Sequence, residues 1–406
     1  MDIKLGKSQL KNNQEIRISG SKSETNRLLL LQALYPQLKI ENGSNSDDSE
    51  VIKKALQSVV KSGAINVHHA GTAMRFLTSF YAIQDGMEVV ISGSDRMHER
   101  PIKILVDALN QLGSNISYVG EEGFPPLKIF GKKLQGNKVV INANVSSQYI
   151  TSLMLIGSSL PNGLEIELEG SITSVPYIKM TLSVLQSLGI KAEFNNKTIS
   201  IPTTKKLTTD NFVVESDWSS ASYYYSLMAL SEINTQLTLS YFKQNSLQGD
   251  SILTEIYQDF GVQTTFIDNK IILKKVENPS IKAINLNLNN APDIAQTIIV
   301  TCLGLGITCN LTGLHTLKIK ETDRLQALKN ELEKFGAFVS ITADSIQLNN
   351  SVNFKKESIS IETYQDHRMA MAFSPLVIKQ GLLIKNAEVV SKSYPDFWKD
   401  LHCLGF

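Results

Sequence analysis

The sequence predicts a two-domain α/β protein made of six similar units. Three observations predict it: the chain length, a glycine-stopped helix that recurs at a steady interval, and a second series of apolar helices that keeps the same interval. The chain has 406 residues, more than one hydrophobic core usually holds, so two domains are expected. A bulky apolar residue plus glycine ends a helical pattern in QLG at Gly113, SLG at Gly189, DFG at Gly261, KFG at Gly336 and CLG at Gly405. Successive glycines of this set lie 76, 72, 75 and 69 residues apart. A looser sixth copy, VVKSG, ends at Gly63. Each glycine reads as the left-handed residue that stops a helix. Before them, apolar residues recur at helical spacing, as in Leu325, Leu328, Leu332 and Phe335. After them come alternating, strand-like runs such as Asn115 to Val119 and Val262 to Ile267.

The second series spans residues 21–34, 70–83, 146–157, 217–230, 291–305 and 366–378. Each segment opens with small or polar residues, which is N-cap chemistry, and continues almost wholly apolar, which marks a helix buried on most sides. Six equivalent helix starts are therefore expected, each with unpaired N–H groups and a partial positive charge. Brought together, such starts form an anion site.

Composition limits the function classes. Apolar residues make up 42% and charged residues 19%, an ordinary soluble balance. A net charge of +1 gives no broad basic field for nucleic acid or an anionic membrane. Cys302, Cys309 and Cys403 are odd in number and lack CxxC spacing, which disfavours a disulfide frame or a thiolate zinc cluster and suits a reducing cytoplasm. The opening MDIKLGKSQL carries no apolar signal segment, and the most apolar run, Ile298 to Ile307, is too short to span a bilayer. Without HExxH, Walker A, GxGxxG or GxSxG elements, metal hydrolysis, nucleotide cleavage, dinucleotide redox and serine-nucleophile chemistry lack support.

Unusual residues gather at the helix starts. Lys22, Ser23 and Arg27 open the first, and Gly71, Thr72 and Arg75 the second. Arg100 precedes Pro101, read as the first residue of a helix, which puts Arg100 at a helix entry. Gly71 would let a ligand approach the backbone. Ser146, Ser147 and Gln148 offer two hydroxyls and an amide beside free N–H groups, a phosphate cradle. Asp293 follows Pro292, KETDR supplies Lys320, Glu321, Asp323 and Arg324, and Asp366, His367 and Arg368 open the last helix. Lys392 lies in SKSYPDF. Asp323 and Asp366 also read as caps or arginine partners, whereas Glu321 between two cations suits proton transfer. The cations imply a ligand set with two phosphates and at least one carboxylate.

GSKSETNR, AGTAMR, RPI, SSQ, SxPYI, PD, KETDR, DHRMAM and SKSYPDF occur in this order from about residue 19 to residue 399. In that order they resemble the EPSP synthase (5-enolpyruvylshikimate-3-phosphate synthase) family of enolpyruvyl transferases. The resemblance implies a two-domain inverse α/β barrel of six βαβαββ repeats, three per domain, with the active site in the interdomain cleft. One domain would comprise 1–19 plus 216–406 and the other 20–215. It also implies transfer of the enolpyruvyl group of phosphoenolpyruvate to the 5-hydroxyl of shikimate 3-phosphate, with no metal, cofactor, nucleic acid or membrane, by a cytoplasmic monomer.

Matching motifs carry the roles across. Lys22, Ser23, Arg27, Ser146, Ser147, Gln148, Ser174, Tyr177, Asp293, Thr316 and Lys320 would hold shikimate 3-phosphate. Lys22, Gly71, Arg100, Gln148, Arg324, Arg368 and Lys392 would surround phosphoenolpyruvate. Asp293 would accept the hydroxyl proton, Glu321 would protonate the methylene carbon, and Lys22 would join them in catalysis. The resemblance further implies inhibition by glyphosate. Three positions depart from the family pattern: His69 and Thr316 stand for asparagines, and Phe76 for a proline. Two alternatives remain at this point. One is transfer to UDP-N-acetylglucosamine, disfavoured because that family has a reactive cysteine in its first half and this chain has none before Cys302. The other is a non-catalytic anion-binding protein, which Asp293 and Glu321 oppose.

Overall fold

The computed structural model describes every residue except 58–60, 145, 171, 173, 174, 350, 351, 353, 355 and 356. At five of the six predicted stops the backbone turns left-handed, with φ between 75° and 102°. Gly113 shows how the stop works. Its N–H returns to the Asn110 carbonyl and the Ser114 N–H to that of Leu109, at 2.9 and 3.1 Å, the paired bonds of a Schellman motif. Gly63 is a correction to the sequence reading. It lies inside the strand Ser62–Asn66, paired with Val89, and not at a helix end.

The six apolar segments form α1 (Lys22–Leu34), α2 (Gly71–Ala82), α3 (Ser147–Gly157), α4 (Trp218–Leu230), α5 (Ala295–Leu305) and α6 (His367–Phe373). Around α2 the strands Ser62–Asn66 and Glu88–Ser92 pair in parallel. A covered helix, Lys103–Gln111, and an antiparallel hairpin, Asn115–Tyr118 with Leu127–Phe130, complete a βαβαββ unit. The same order recurs around α3, from Lys138–Asn142 to Thr198–Ile201, and around α5, from Ala283–Asn287 to Ile346–Asn349. Two parallel pairs join strands far apart in sequence: Gln14–Ile16 with Gln236–Ser240, and Asn211–Val213 with Lys39–Glu41. Residues 20–214 thus enter as one insertion between the first pair.

The chain divides into two compact units, Met1–Ser19 with Glu215–Phe406, and Gly20–Val214. Each has its own apolar core and, among the described residues, three sheets. In the unit 20–214, α1, α2 and α3 pack on one another. In the other, α5 packs against both α4 and α6. Small residues permit these close approaches: Ser152 Oγ donates to the Arg75 carbonyl at 2.7 Å, and a Cβ at Gly304 would stand 2.6 Å from Leu230. Strand residues alternate between core and solvent, as in Val262–Ile267, so one face of each sheet covers the helices and the other meets water. No described helix is long and apolar enough to cross a membrane.

Candidate active site

The predicted residues fall into two groups, one in each unit. In the unit 20–214, Ser21 and Ser146 cap α1 and α3 through their hydroxyls, while α2 begins after Ala70 without a side-chain cap. Lys22, the first residue of α1, pairs with Asp48 at 3.3 Å. At the Asp48 helix start a hydroxyl chain runs from Ser44 through Ser46 to Ser49, which donates to Asn26 of α1. Arg27 is buried among neutral acceptors. Its Nε donates to Thr181 at 2.8 Å, and its other nitrogens donate to the Ser23 and Tyr177 carbonyls and to Thr151. Phe76, one of the departures, places its ring 6.0 Å from this guanidinium. Burial pushes Arg27 down to about 10, which leaves it cationic at neutral pH.

Arg75 is buried too, and donates to the carbonyls of Gly71 and Pro101 at 3.2 and 2.8 Å. Tyr149 donates to the same Pro101 carbonyl, so α2 and α3 both hold the loop that carries Arg100. Burial first, and the Arg100 charge second, bring Arg75 to about 10. Two expectations change here. The helix after Pro101 starts at Lys103 with Ile102 as its cap, so Pro101 is not its first residue and Arg100 stands two residues outside the cap. The close approach to Gly71 is made by Arg100 itself: a Cβ there would lie 2.5 Å from Nη1. Among the described residues, no salt bridge joins Arg27, Arg75 or Arg100 to a carboxylate, although the Glu24 charge acts on Arg27. Cations held only by neutral groups are arranged to receive an anion.

Gln148 donates its amide to Thr72 at 3.4 Å, and His69 bonds Ser94 at 2.8 Å. Ser147 is buried in the first turn of α3, and Tyr177 lies half-buried in the helix Val175–Ser187. Ser174 falls outside the described residues.

The unit 1–19 with 215–406 is built the opposite way, around carboxylates. Asp217 caps α4, Asp323 caps the helix Arg324–Glu333, and Asp366 caps α6. The expectation of unpaired N–H groups at every start therefore fails at α4 and α6, as it does at α1 and α3, where capping side chains already accept from them. By contrast, α5 and α2 have no side-chain cap. Arg324 is 2% exposed and donates to three acids: Asp366 at 2.7 Å, Asp293 at 3.0 Å and Glu321 at 2.9 Å. Asp366 is thus both cap and arginine partner. Burial alone would lower Arg324, but Asp366, Glu321 and Asp293 together raise it well above the usual guanidinium range.

Asp293, in the turn Pro292–Ile294, receives three cations: Arg324, Arg368 at 3.1 Å and Lys320 at 3.8 Å. Burial raises its pKa, yet Arg368, Lys320 and Arg324 outweigh this and hold the carboxyl far below the usual range. Thr316 sits half-buried in the turn His315–Ile319, and Lys392 donates to the Gln365 carbonyl at 3.1 Å. Sequence reading missed Asp48, and it missed Ser219 and Asp250, which adjoin Arg368. The run DDSE at the Asp48 helix start was the available signal for the first; the other two had none.

One group can therefore hold anions. The other couples two carboxyls, Asp293 and Glu321, through one arginine, a layout suited to moving protons beside negative charge.

The family pattern described as EPSP synthase (3-phosphoshikimate 1-carboxyvinyltransferase) matches residues 35–401. The chain is 42% identical over 395 residues to the 3-phosphoshikimate 1-carboxyvinyltransferase of Bacteroides fragilis strain YCH46, covering 96% of this chain and 95% of that protein. It is 33% identical over 420 residues to the protein of that name from Actinobacillus pleuropneumoniae serotype 5b, covering 96% of each. A solved EPSP synthase from Acinetobacter baumannii aligns with a TM-score of 0.78, over 100% of this chain and 98% of that one, at 20% identity, a likeness of fold. The chain belongs to the EPSP synthase family.

Proposed function

We propose that the chain transfers the enolpyruvyl group of phosphoenolpyruvate to the 5-hydroxyl of shikimate 3-phosphate, releasing phosphate, as a cytoplasmic monomer without metal or cofactor. Lys22, Ser23, Arg27, Ser146, Ser147, Gln148, Ser174, Tyr177, Asp293, Thr316 and Lys320 bind shikimate 3-phosphate in this reading. Lys22, Gly71, Arg100, Gln148, Arg324, Arg368 and Lys392 bind phosphoenolpyruvate. The two groups, one in each compact unit, serve one reaction.

The observation that carries the reading is the Asp293 cluster, an ionised acid among three cations with Glu321 on the same arginine. Glu321 protonates the methylene carbon, the neighbouring carbon becomes electrophilic, and the hydroxyl adds there while Asp293 takes its proton. Loss of phosphate and a proton from the adduct restores the enol ether. A carboxylate so strongly stabilised is a weak base. When the anionic groups of phosphoenolpyruvate engage Arg368 and Arg324, Asp293 loses part of that stabilisation, and its proton affinity rises at the moment it is needed. The lysines and arginines neutralise developing charge in place of a metal.

Phosphate release from phosphoenolpyruvate tests the assignment. Release is expected with shikimate 3-phosphate as acceptor and not with UDP-N-acetylglucosamine. The reverse pattern would move the chain to the sister activity, and no release with either would leave an anion-binding protein.

A further inference from the structure

A carboxyl with no part in the reaction just described touches the same machinery. Asp250 lies in the short turn Gly249–Ile252 and is buried. It accepts a very short hydrogen bond from the Ser219 hydroxyl in the first turn of α4. Ser219 Oγ in turn accepts from Arg368 Nη2 at 3.3 Å, and that nitrogen lies 3.1 Å from Asp293 Oδ2. Arg368 Nη1 donates to the Asp293 carbonyl at 3.0 Å. The result is one continuous chain, Asp250–Ser219–Arg368–Asp293, drawn from four separate elements.

Hydrogen-bond polarity makes the chain directional. A hydroxyl has one proton to give. Because Ser219 gives it to Asp250, its lone pairs face Arg368, and a guanidinium can only donate. The Asp250 turn is itself fixed to the start of α4: Trp218 N–H donates to the Gln248 side chain at 3.0 Å, and Gln248 Nε2 donates to the Ser216 carbonyl at 2.9 Å.

We propose that Asp250 is a positioning residue that acts through Ser219 on Arg368, and that its charge modulates the hold of Arg368 on phosphoenolpyruvate. The inference rests on the reading above, in which Arg368 binds that substrate. The charged groups facing Asp250 are Asp293 from the turn Pro292–Ile294, Arg368 from α6 and Asp217 from the cap of α4. Burial first and the Asp293 charge second push the Asp250 carboxyl up, against the pull of Arg368 and Ser219, to about 7. Below that pH the carboxyl is neutral and Arg368 presents its full charge. Above it, a second buried negative charge beside Asp293 offsets Arg368, and anion affinity falls.

The test measures KM for each substrate from pH 6 to pH 8.5 in wild type, Asp250→Asn, Ser219→Ala and Arg368→Ala. Phosphoenolpyruvate's own ionisation affects every form alike, so the readout is the ratio of wild-type to Asp250→Asn KM. That ratio is expected to rise about tenfold across the range, with KM for shikimate 3-phosphate unmoved. Ser219→Ala, which loses only a hydroxyl, is expected to raise KM for phosphoenolpyruvate about threefold at every pH with kcat little changed. It carries the test alone if Asp250→Asn fails to fold. A flat ratio, or an unchanged KM in Ser219→Ala, overturns the inference, provided Arg368→Ala raises KM for phosphoenolpyruvate. If Arg368→Ala leaves that KM unchanged, the underlying reading falls instead.

Discussion

Replacing Arg324 by Met tests whether the unit around Asp293 is held by charge. Methionine fills much of the arginine stem's volume without the fork, so the loss is electrostatic rather than a cavity. Three carboxyls lose their shared cation. Asp293 and Glu321, 15% and 16% exposed, can draw some water, but Asp366, at 0%, cannot. Removing one partner of a buried ion pair costs about 3–5 kcal/mol. Asp366 keeps its cap bond from the Arg368 N–H at 2.8 Å, and Asp293 keeps Arg368 and Lys320, so the lower end applies, about 3 kcal/mol.

The loss depends on pH with a definite sign. In the wild type the Asp293 carboxyl lies below its unfolded value, so its contribution is present above that unfolded value and lost as pH falls through the folded one. In the variant, buried carboxyls without Arg324 rise above their unfolded values and destabilise the fold once pH exceeds them. The deficit relative to wild type is therefore largest at pH 7–8 and shrinks towards pH 5. Urea unfolding midpoints followed by circular dichroism at pH 5, 6, 7 and 8 measure it. A deficit constant across that range would mean that packing, not charge, holds Arg324 in place.

Two further substitutions address the chemistry. Glu321→Gln keeps an oxygen for Arg324 but has no proton to give; turnover is expected to fall at least ~10²-fold, with both substrates still bound, and near-normal single-turnover rates would remove Glu321 from the mechanism. Gly71→Ala would bring a Cβ to 2.5 Å from Arg100 Nη1; because the clash is with the tip of a flexible side chain, the unfolding temperature should hardly move. Displacing the Arg100 guanidinium should raise KM for phosphoenolpyruvate about tenfold and weaken glyphosate inhibition in step. An unchanged KM would take Arg100 off the substrate.

The buried helices were readable because burial on most sides leaves a composition no surface helix has, and because Ser21, Ser146, Asp217 and Asp366 at four of their starts are caps. The stop at Gly63 was misread because a glycine after polar residues looks the same in a strand edge as at a helix end; only its pairing with Val89 separates them. At the site, cations stand out in sequence, since a Lys or Arg at a helix start opposes the dipole and asks for a reason. Their partners do not stand out. Asp250 meets Ser219 across 31 residues, and Arg324 meets Asp366 across 42. Neither pairing has a period or motif, because the fold alone makes them neighbours. Asp366 shows the limit well: cap and ion-pair partner were offered as separate readings, and one carboxylate is both.

The contrast between the two groups bears on the reaction itself. In the unit 20–214, Arg27 and Arg75 are bonded by carbonyls and hydroxyls, groups that orient a cation without cancelling its charge. A phosphate arriving at Arg27 gains the full attraction and has no salt bridge of that arginine to break. In the other unit every charged bond to Arg324 ends on an acid. An anion near it must compete with Asp293 for Arg368 and Lys320, and each cation it draws away makes Asp293 a better base. The first arrangement suits holding a phosphorylated substrate unchanged. The second makes proton affinity depend on which anion is present, which an enolpyruvyl transfer requires, since a proton must be taken from the hydroxyl only when phosphoenolpyruvate is in place. Were the acids and neutral acceptors exchanged between the units, neither task would be served: the holding site would resist its phosphate, and the base would be indifferent to substrate.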